Sequence, residues 1–179
     1  MSTAESHKTV LNPEGDADAV SSREFRRALG RFATGVSVIT TQHQDRIHGM
    51  TANAFMSVSL DPPLVLVSLD NRSLMHQILP ATGLFGVSVL AEGQEAISNH
   101  FAGRTVDGVR IGFISRRDVP LLEGAVAYFI ARVVNVQTAG DHTLYIGQVE
   151  HFESADARPL LFYAGSYERV SRKNSGSRR

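Results

Sequence analysis

Cysteine and tryptophan are both absent from the 179 residues. Without a thiol there is no disulfide framework, no thiolate nucleophile, no iron–sulfur cluster and no cysteine-ligated zinc. Net charge is missing too, since 18 basic side chains meet 18 acidic ones. No apolar run approaches the ~18–20 residues that span a bilayer, and the polar start from Met1 to Lys8 lacks a signal-peptide core. A soluble, cytoplasmic protein with no membrane contact is therefore expected. No Gly-x-Gly-x-x-Gly follows a strand, and neither a Walker sequence nor a Gly-x-Ser-x-Gly elbow occurs, which disfavours Rossmann, NTPase and α/β-hydrolase chemistry. None of the seven histidines stands in an HExxH helix; His43 and His48 could approach across a turn, but two ligands make no site, so no metal is expected. Basic residues are not interleaved with aromatics along the core, which argues against nucleic acid.

What is present is one domain's worth of chain, 42% apolar, flanked by two polar ends. Residues 1–20 hold one lysine against four acids, and residues 169–179 hold five basic groups and no acid. Both ends lack apolar periodicity and read as disordered tails, one acidic and one basic, around an acting unit at 21–168. That unit opens with a helix. Ser21 and Glu24 form a capping-box pair, Phe25, Ala28, Leu29 and Phe32 recur at helical spacing with arginines on the other faces, and Gly35 is placed to end it.

The remainder is mostly extended. Strands are expected at Val36 to Thr41, within Ile47 to Ser59, at Leu64 to Leu69, at Leu84 to Leu90, at Val109 to Ser115 and at Leu160 to Tyr163. A long pair, Val126 to Gln137 and Thr143 to Phe152, is joined by the turn Ala139-Gly140-Asp141-His142. Leu64 to Leu69 reads as a strand covered on both faces. Short helices fit Ser73 to Leu79, ended by Pro80, and Gly93 to Phe101. Tight turns between successive strands point to an antiparallel barrel, mostly β, with a few peripheral helices.

Two clusters of small polar residues flank the apolar strand. Thr51, Asn53, Ser57 and Ser59 precede Asp61-Pro62-Pro63, and Ser68, Asp70, Asn71, Arg72 and Ser73 follow it. Short hydroxyls, an amide and exposed peptide N–H groups suit a ligand rich in acceptors. Ser73 at a helix N-cap and Arg72 as a two-point donor would suit a phosphate.

The runs Phe32-Ala33-Thr34-Gly35-Val36-Ser37-Val38-Ile39-Thr40, Gly49-Met50-Thr51-Ala52-Asn53-Ala54-Phe55 and Ser57-Val58-Ser59-Leu60-Asp61-Pro62-Pro63-Leu64-Val65 resemble the flavin reductase-like family, the reductase components of two-component flavin-dependent monooxygenases. Gly140-Asp141-His142 and Leu161-Phe162-Tyr163-Ala164-Gly165-Ser166-Tyr167 match in the same order. The resemblance implies an FMN-binding split barrel, a homodimer, and NAD(P)H:flavin oxidoreductase activity that hands reduced FMN or FAD to a separate oxygenase. NADH or NADPH would be the co-substrate. By motif, Thr51, Ala52 and Asn53 would line the isoalloxazine and ribityl chain, with Ser57, Val58 and Ser59 continuing the wall. Ser68, Asn71, Arg72 and Ser73 would serve the phosphate end, and Phe101 and Ala102 the phosphate or ring. Asp141 belongs to the implied cofactor-binding set, His142 would contact the nicotinamide, and Tyr163 and Tyr167 would lie near the nucleotide path. Many relatives carry Ser where this chain has Ala54, and Ala164 stands at a usual tyrosine position.

Since hydride passes directly between two stacked rings, neither a nucleophile nor an acid–base pair is obligatory. Peptide N–H groups or Thr51 at the N1–C2=O edge would stabilise the developing charge. His48, His76, His100 and His151 read as surface or packing residues, and Tyr128 and Phe129 as core or dimer contacts. The alternatives are a split-barrel FMN-dependent oxidase and a non-catalytic flavin- or haem-binding protein.

Overall fold

A computed structural model describes residues 21–104 and 106–171. Residues 1–20 and 172–179, most of the two expected tails, lie outside the described residues. Arg169, assigned from sequence to the basic tail, is instead the last residue of a strand, paired with Leu160.

Helix α1 (Ser22–Leu29) begins as expected, with the Ser21 hydroxyl accepting from the Glu24 N–H at 3.4 Å. It stops at Gly30, not Gly35. The N–H groups of Arg31 and Phe32 bond back three residues, to Ala28 and Leu29, and so close the last turn tightly. Its apolar stripe is not buried: Phe25, Leu29 and Phe32 are 55%, 57% and 78% exposed. The helix is held from its end instead, where the Gly30 carbonyl accepts from the Ala164 N–H at 2.8 Å.

After β1 (Thr34–Gly35) come β2 (Ser37–His43), β3 (Arg46–Ala52), β4 (Phe55–Leu60) and β5 (Pro63–Asp70). Helix α2 (Leu74–Thr82) leads to β6 (Leu84–Val89), and α3 (Glu95–Phe101) to the hairpin β7 (Phe113–Arg116) and β8 (Val119–Leu122). The long strands β9 (Ala127–Ala139) and β10 (His142–Ser154) follow, then β11 (Leu160–Tyr163) and β12 (Ser166–Arg169). One seven-stranded antiparallel sheet has the order β3-β2-β6-β9-β10-β5-β4. Its two edge strands, β3 and β4, are joined in the chain by Asn53 and Ala54 alone. Two residues span at most ~7 Å, so the sheet must roll until its edges nearly meet. The edges are not hydrogen-bonded to each other. The result is a split barrel, as expected, with its seam at Asn53.

The barrel interior is filled by Ile39, Val67, Leu69, Leu79, Phe85, Val87 and Tyr145. Along β5 only Val65, Val67 and Leu69 are buried, while Leu64, Leu66 and Ser68 are half-buried. The strand read as covered on both faces is thus fully covered on one face by its own chain. Hairpin β7–β8 was legible only in its first half. Its turn, Arg117-Asp118, takes positive φ values of 50° and 62° without glycine, so it carries no ordinary turn signal. Tyr128 is buried near the start of β9, its hydroxyl accepting from the Ala125 N–H at 3.0 Å.

Pro80, expected to end α2, lies inside it; the helix ends at Gly83, whose φ of 63° suits a left-handed cap. Proline has no N–H, so the His76 carbonyl one turn back loses its helical partner. The Tyr145 hydroxyl, 3.4 Å from that carbonyl and 2.8 Å from His76 Nδ1, takes its place. Burial pushes the Tyr145 pKa up, which keeps the phenol protonated as a donor. Tyr145→Phe should therefore lower stability by about 1 kcal/mol, the worth of one partly buried hydrogen bond. A urea midpoint unchanged from wild type would show that the carbonyl needs no partner.

Candidate functional site

Three segments converge at a recess of about 460 Å³: β3 at Gly49 and Thr51, the start of α2 at Ser73 and Met75, and the end of α3 at Phe101 and Ala102. Ser73 caps α2 as the sequence predicts, its hydroxyl accepting from the His76 N–H at 3.1 Å. The free peptide N–H groups of a helix's first turn carry partial positive charge, so this rim suits an anion. Phe101 packs closely against β3 because Gly49 has no side chain: a Cβ there would come within 2.4 Å of the ring. The ring is fixed by edge contacts with His100 at 5.1 Å and Phe113 at 6.4 Å.

Further along the chain β3 ends at the seam, where a second recess of about 360 Å³ is lined by Asn53, Phe55 and the segment Phe32 to Ser37. On its wall the Thr34 hydroxyl oxygen is buried and makes no hydrogen bond. An unmet buried hydroxyl costs about 1–3 kcal/mol, a cost that a bound polar ring edge removes once the side chain turns toward it. The aromatic wall of Phe101, the helix N-terminus at Ser73 and the unmet Thr34 oxygen fit a flat heteroaromatic ring carrying a phosphate. Flavin and the residues present are thus compatible.

The structure brings Thr51, Ser73, Phe101 and Ala102 together in the first recess and sets Asn53 in the second. Ala52, between them, is buried in the core, so only its backbone can face a ligand. The Thr51 hydroxyl donates to the Ser98 carbonyl at 2.7 Å. Its proton is committed to holding α3, and the expected stabilisation of a ring oxygen falls to peptide N–H groups instead. Ser57, Val58 and Ser59 line neither recess. They lie on edge strand β4 at a bulge, Ser57 facing Val65 and Ser59 facing Leu64 with Val58 between. Ser68 is linked to the seam only by its backbone, whose N–H donates to the Ala54 carbonyl.

A third group of predicted residues gathers where β5 meets the β9–β10 turn. The Asn71 side chain accepts from Thr143 Oγ1 at 2.7 Å and donates to the Gly140 carbonyl at 3.3 Å, so it staples that turn to the start of α2. Arg72, expected to offer a free guanidinium, is spent on Asp70 through contacts of 3.1 and 2.8 Å. Those bonds hold the Asp70 carboxyl well below the usual carboxylate range. The pair is neutral as a unit and brings no net charge to a phosphate. His142 is part-exposed, with Nδ1 2.8 Å from Asp141 Oδ1, and this hydrogen bond lowers the Asp141 pKa. Its Nε2 is left to face a ligand.

Tyr163 and Tyr167 line neither recess. The Tyr167 hydroxyl shares its proton between Ser98 Oγ at 2.8 Å and Asn99 Oδ1 at 3.1 Å, so it anchors α3. Tyr163 accepts from Arg31 at 3.3 Å, beside α1. Gly49, Met75 and Thr34 were not among the expected site residues. Thr34 lies inside a motif that carries the family resemblance, but no sequence signal tells a buried, unmatched hydroxyl from an ordinary strand threonine. Among the described residues no group of three or more His, Cys, Asp or Glu could hold a metal ion, and the His43 and His48 rings lie 6.4 Å apart. No helix of the described residues is long and apolar enough to cross a membrane.

The family model described as flavin reductase like domain matches residues 29–171. An NADH-dependent flavin reductase of a Rhodococcus species is 50% identical over 160 residues, 88% of this chain and 88% of that one. The reductase component of 4-hydroxyphenylacetate 3-monooxygenase from Thermus thermophilus is 39% identical over 147 residues, 82% of this chain and 95% of its own. The solved structure of flavin reductase PheA2 superposes with a TM-score of 0.82 at 42% identity, covering 85% of this chain and 99% of that one.

Proposed function

This chain belongs to the flavin reductase-like domain family, and from that membership we propose that its unit at 21–168 is an NADH:flavin oxidoreductase that supplies reduced FMN or FAD to a separate oxygenase. The observation that carries this reading is the recess in which β3 at Thr51, a helix N-terminus and the aromatic wall of Phe101 meet beside the barrel seam. NADH is the favoured nicotinamide because the Rhodococcus relative is named for it. The oxygenase partner is favoured because the Thermus relative is a monooxygenase component. Consumption of reduced nicotinamide fits the cytoplasmic location expected from sequence.

A bound flavin would supply the hydride-accepting ring, with the reduced nicotinamide as the two-electron donor. The chain's own part is placement. β3 at Thr51 would give the ring a floor, Phe101, seated over Gly49, would close one side, and the first N–H groups of α2 would hold the phosphate. Asn53 and Thr34 offer hydrogen bonds at the ring edge. Asn71 fixes the turn that carries His142, and Asp141 orients the imidazole so that Nε2 can meet the nicotinamide amide. An open recess suits a flavin that must leave after each turnover.

A second copy would cover what one chain leaves exposed. The α1 stripe, Met56 at 57% and Leu60 at 93% exposure on β4, and the half-covered face of β5 together support a homodimer. Sedimentation equilibrium at twice the 19.5 kDa chain mass would agree, and a monomer at micromolar concentration would not.

Purified protein should oxidise NADH, followed at 340 nm, only when free FMN or FAD is added. NADH consumption without added flavin, or none with it, would overturn the assignment. His142→Ala should raise the KM for NADH about tenfold, the loss of one hydrogen bond worth ~1.4 kcal/mol, and change the flavin Kd by less than twofold. The opposite split would move His142 to the flavin.

A further inference from the structure

Helix α1 is oriented in an unusual way. At 100° per residue, Arg23, Arg26 and Arg27 fall within about 100° of arc, and Phe25 and Leu29 lie on the opposite side. The arginine side looks toward the protein's own β11–β12 turn, while Phe25 and Leu29 are more than half exposed. Together with Arg31 these guanidinium groups wall a pocket of about 320 Å³. Its floor is Gly30 and the turn Ala164-Gly165, both turn residues having positive φ. The turn is clamped to the helix end by the Ala164 N–H bond to the Gly30 carbonyl, so this floor presents backbone and almost no side chain. Among the described residues no carboxylate lines the pocket. Among the described residues no ion pair engages Arg23, Arg26, Arg27 or Arg31, and of their side chains only that of Arg31 makes a hydrogen bond, to Tyr163. Four cations within nine residues repel one another, and a bound anion relieves this.

We propose that this pocket is an anion subsite, and that its ligand is the diphosphate of a dinucleotide co-substrate. The anion follows from the arginine walls alone; the dinucleotide rests on the flavin reductase reading. Several guanidinium forks around a concave backbone floor match the spaced, multiply charged oxygens of a diphosphate, which accept paired N–H donors. The chain continues directly from this pocket, at Arg31, into the recess at the seam, at Phe32. One extended ligand could therefore occupy both. Arg72, the cation the sequence offered for phosphate, is neutralised by Asp70, so α1 supplies the free positive charge. NADH and FAD contain a diphosphate and FMN does not, which separates the sources.

The test uses the double variant Arg23→Ala/Arg27→Ala in the full chain, with binding of inorganic pyrophosphate, FMN, FAD and NADH followed by calorimetry and flavin fluorescence. Wild type should bind pyrophosphate, and the variant should bind it about tenfold or more weakly, as loss of charge-assisted hydrogen bonds requires. FMN affinity should stay within twofold. Weakened FAD affinity assigns the diphosphate to the flavin, and a raised KM for NADH with FMN assigns it to the nicotinamide. Pyrophosphate that fails to bind wild type, or a variant indistinguishable from wild type toward pyrophosphate, FAD and NADH, overturns the subsite. Should the double variant melt early, Arg23→Gln on the exposed first turn gives the same reading with a smaller change. A wild type that binds pyrophosphate through these arginines yet never oxidises NADH would sink the flavin reductase reading and leave the anion site standing.

Discussion

Gly49→Ala should weaken flavin binding on the order of tenfold, the effect of losing about 1.4 kcal/mol, while the protein stays folded. The added methyl would lie 2.4 Å from one Phe101 ring carbon and 2.6 Å from the next. Backbone cannot yield there, because β3 is hydrogen-bonded along its length to β2, with Gly49 opposite Thr40. The ring must move, and its neighbours His100 and Phe113 restrict where it can go. Helix α3 is itself anchored by Thr51 and Tyr167 through Ser98 and Asn99. The ring is thus displaced into the recess, into the volume the flavin needs. Adding Phe101→Ala should recover part of the affinity in the double variant, since the clash is removed with the ring while the ring's own contact with the flavin is lost. Fluorescence titration of both variants decides it: equal weakening with and without Phe101 would mean the floor acts on flavin by some other route.

Phe85→Ala should cost about 3–5 kcal/mol of stability, the range for emptying a buried aromatic site. Phe85 is fully buried in β6. It occupies space opened by Gly147 on β10, where a Cβ would come within 2.7 Å of its ring and 2.8 Å of the Ala131 Cβ. The chain has matched one large side chain to two small neighbours, and neither neighbour can expand to fill the hole. At ~2–4 °C per kcal/mol for a domain of this size, the melting temperature should fall by roughly 10 °C. The flavin recesses draw on other residues, so flavin binding well below the melt should persist. Calorimetry showing a loss under about 1 kcal/mol would mean that the site collapses without cost.

Both predictions turn on glycines that a sequence reading passes over. Gly49 sits in a family motif and Gly147 in the middle of an expected strand, but the meaning of each depends on a ring brought from a distant segment. Polar residues show the same division. Ser73 was legible as a cap because its partner lies three residues on. Asn71 and Arg72 were legible only as polar, and the structure shows one binding the β9–β10 turn and the other neutralised by Asp70.

Periodicity and turn chemistry were sufficient for most of the strands, though not for β8 or β12, and for the first helix cap and the antiparallel class, because these depend on residues close together in the chain. Motif order was sufficient for the family. Only the folded structure decided that Pro80 could remain inside a helix, since the hydroxyl that compensates comes from Tyr145, 69 residues beyond the His76 carbonyl it serves. It alone decided which face of α1 meets the protein. An amphipathic pattern states that two faces differ; which one turns inward depends on what the rest of the chain places beside it.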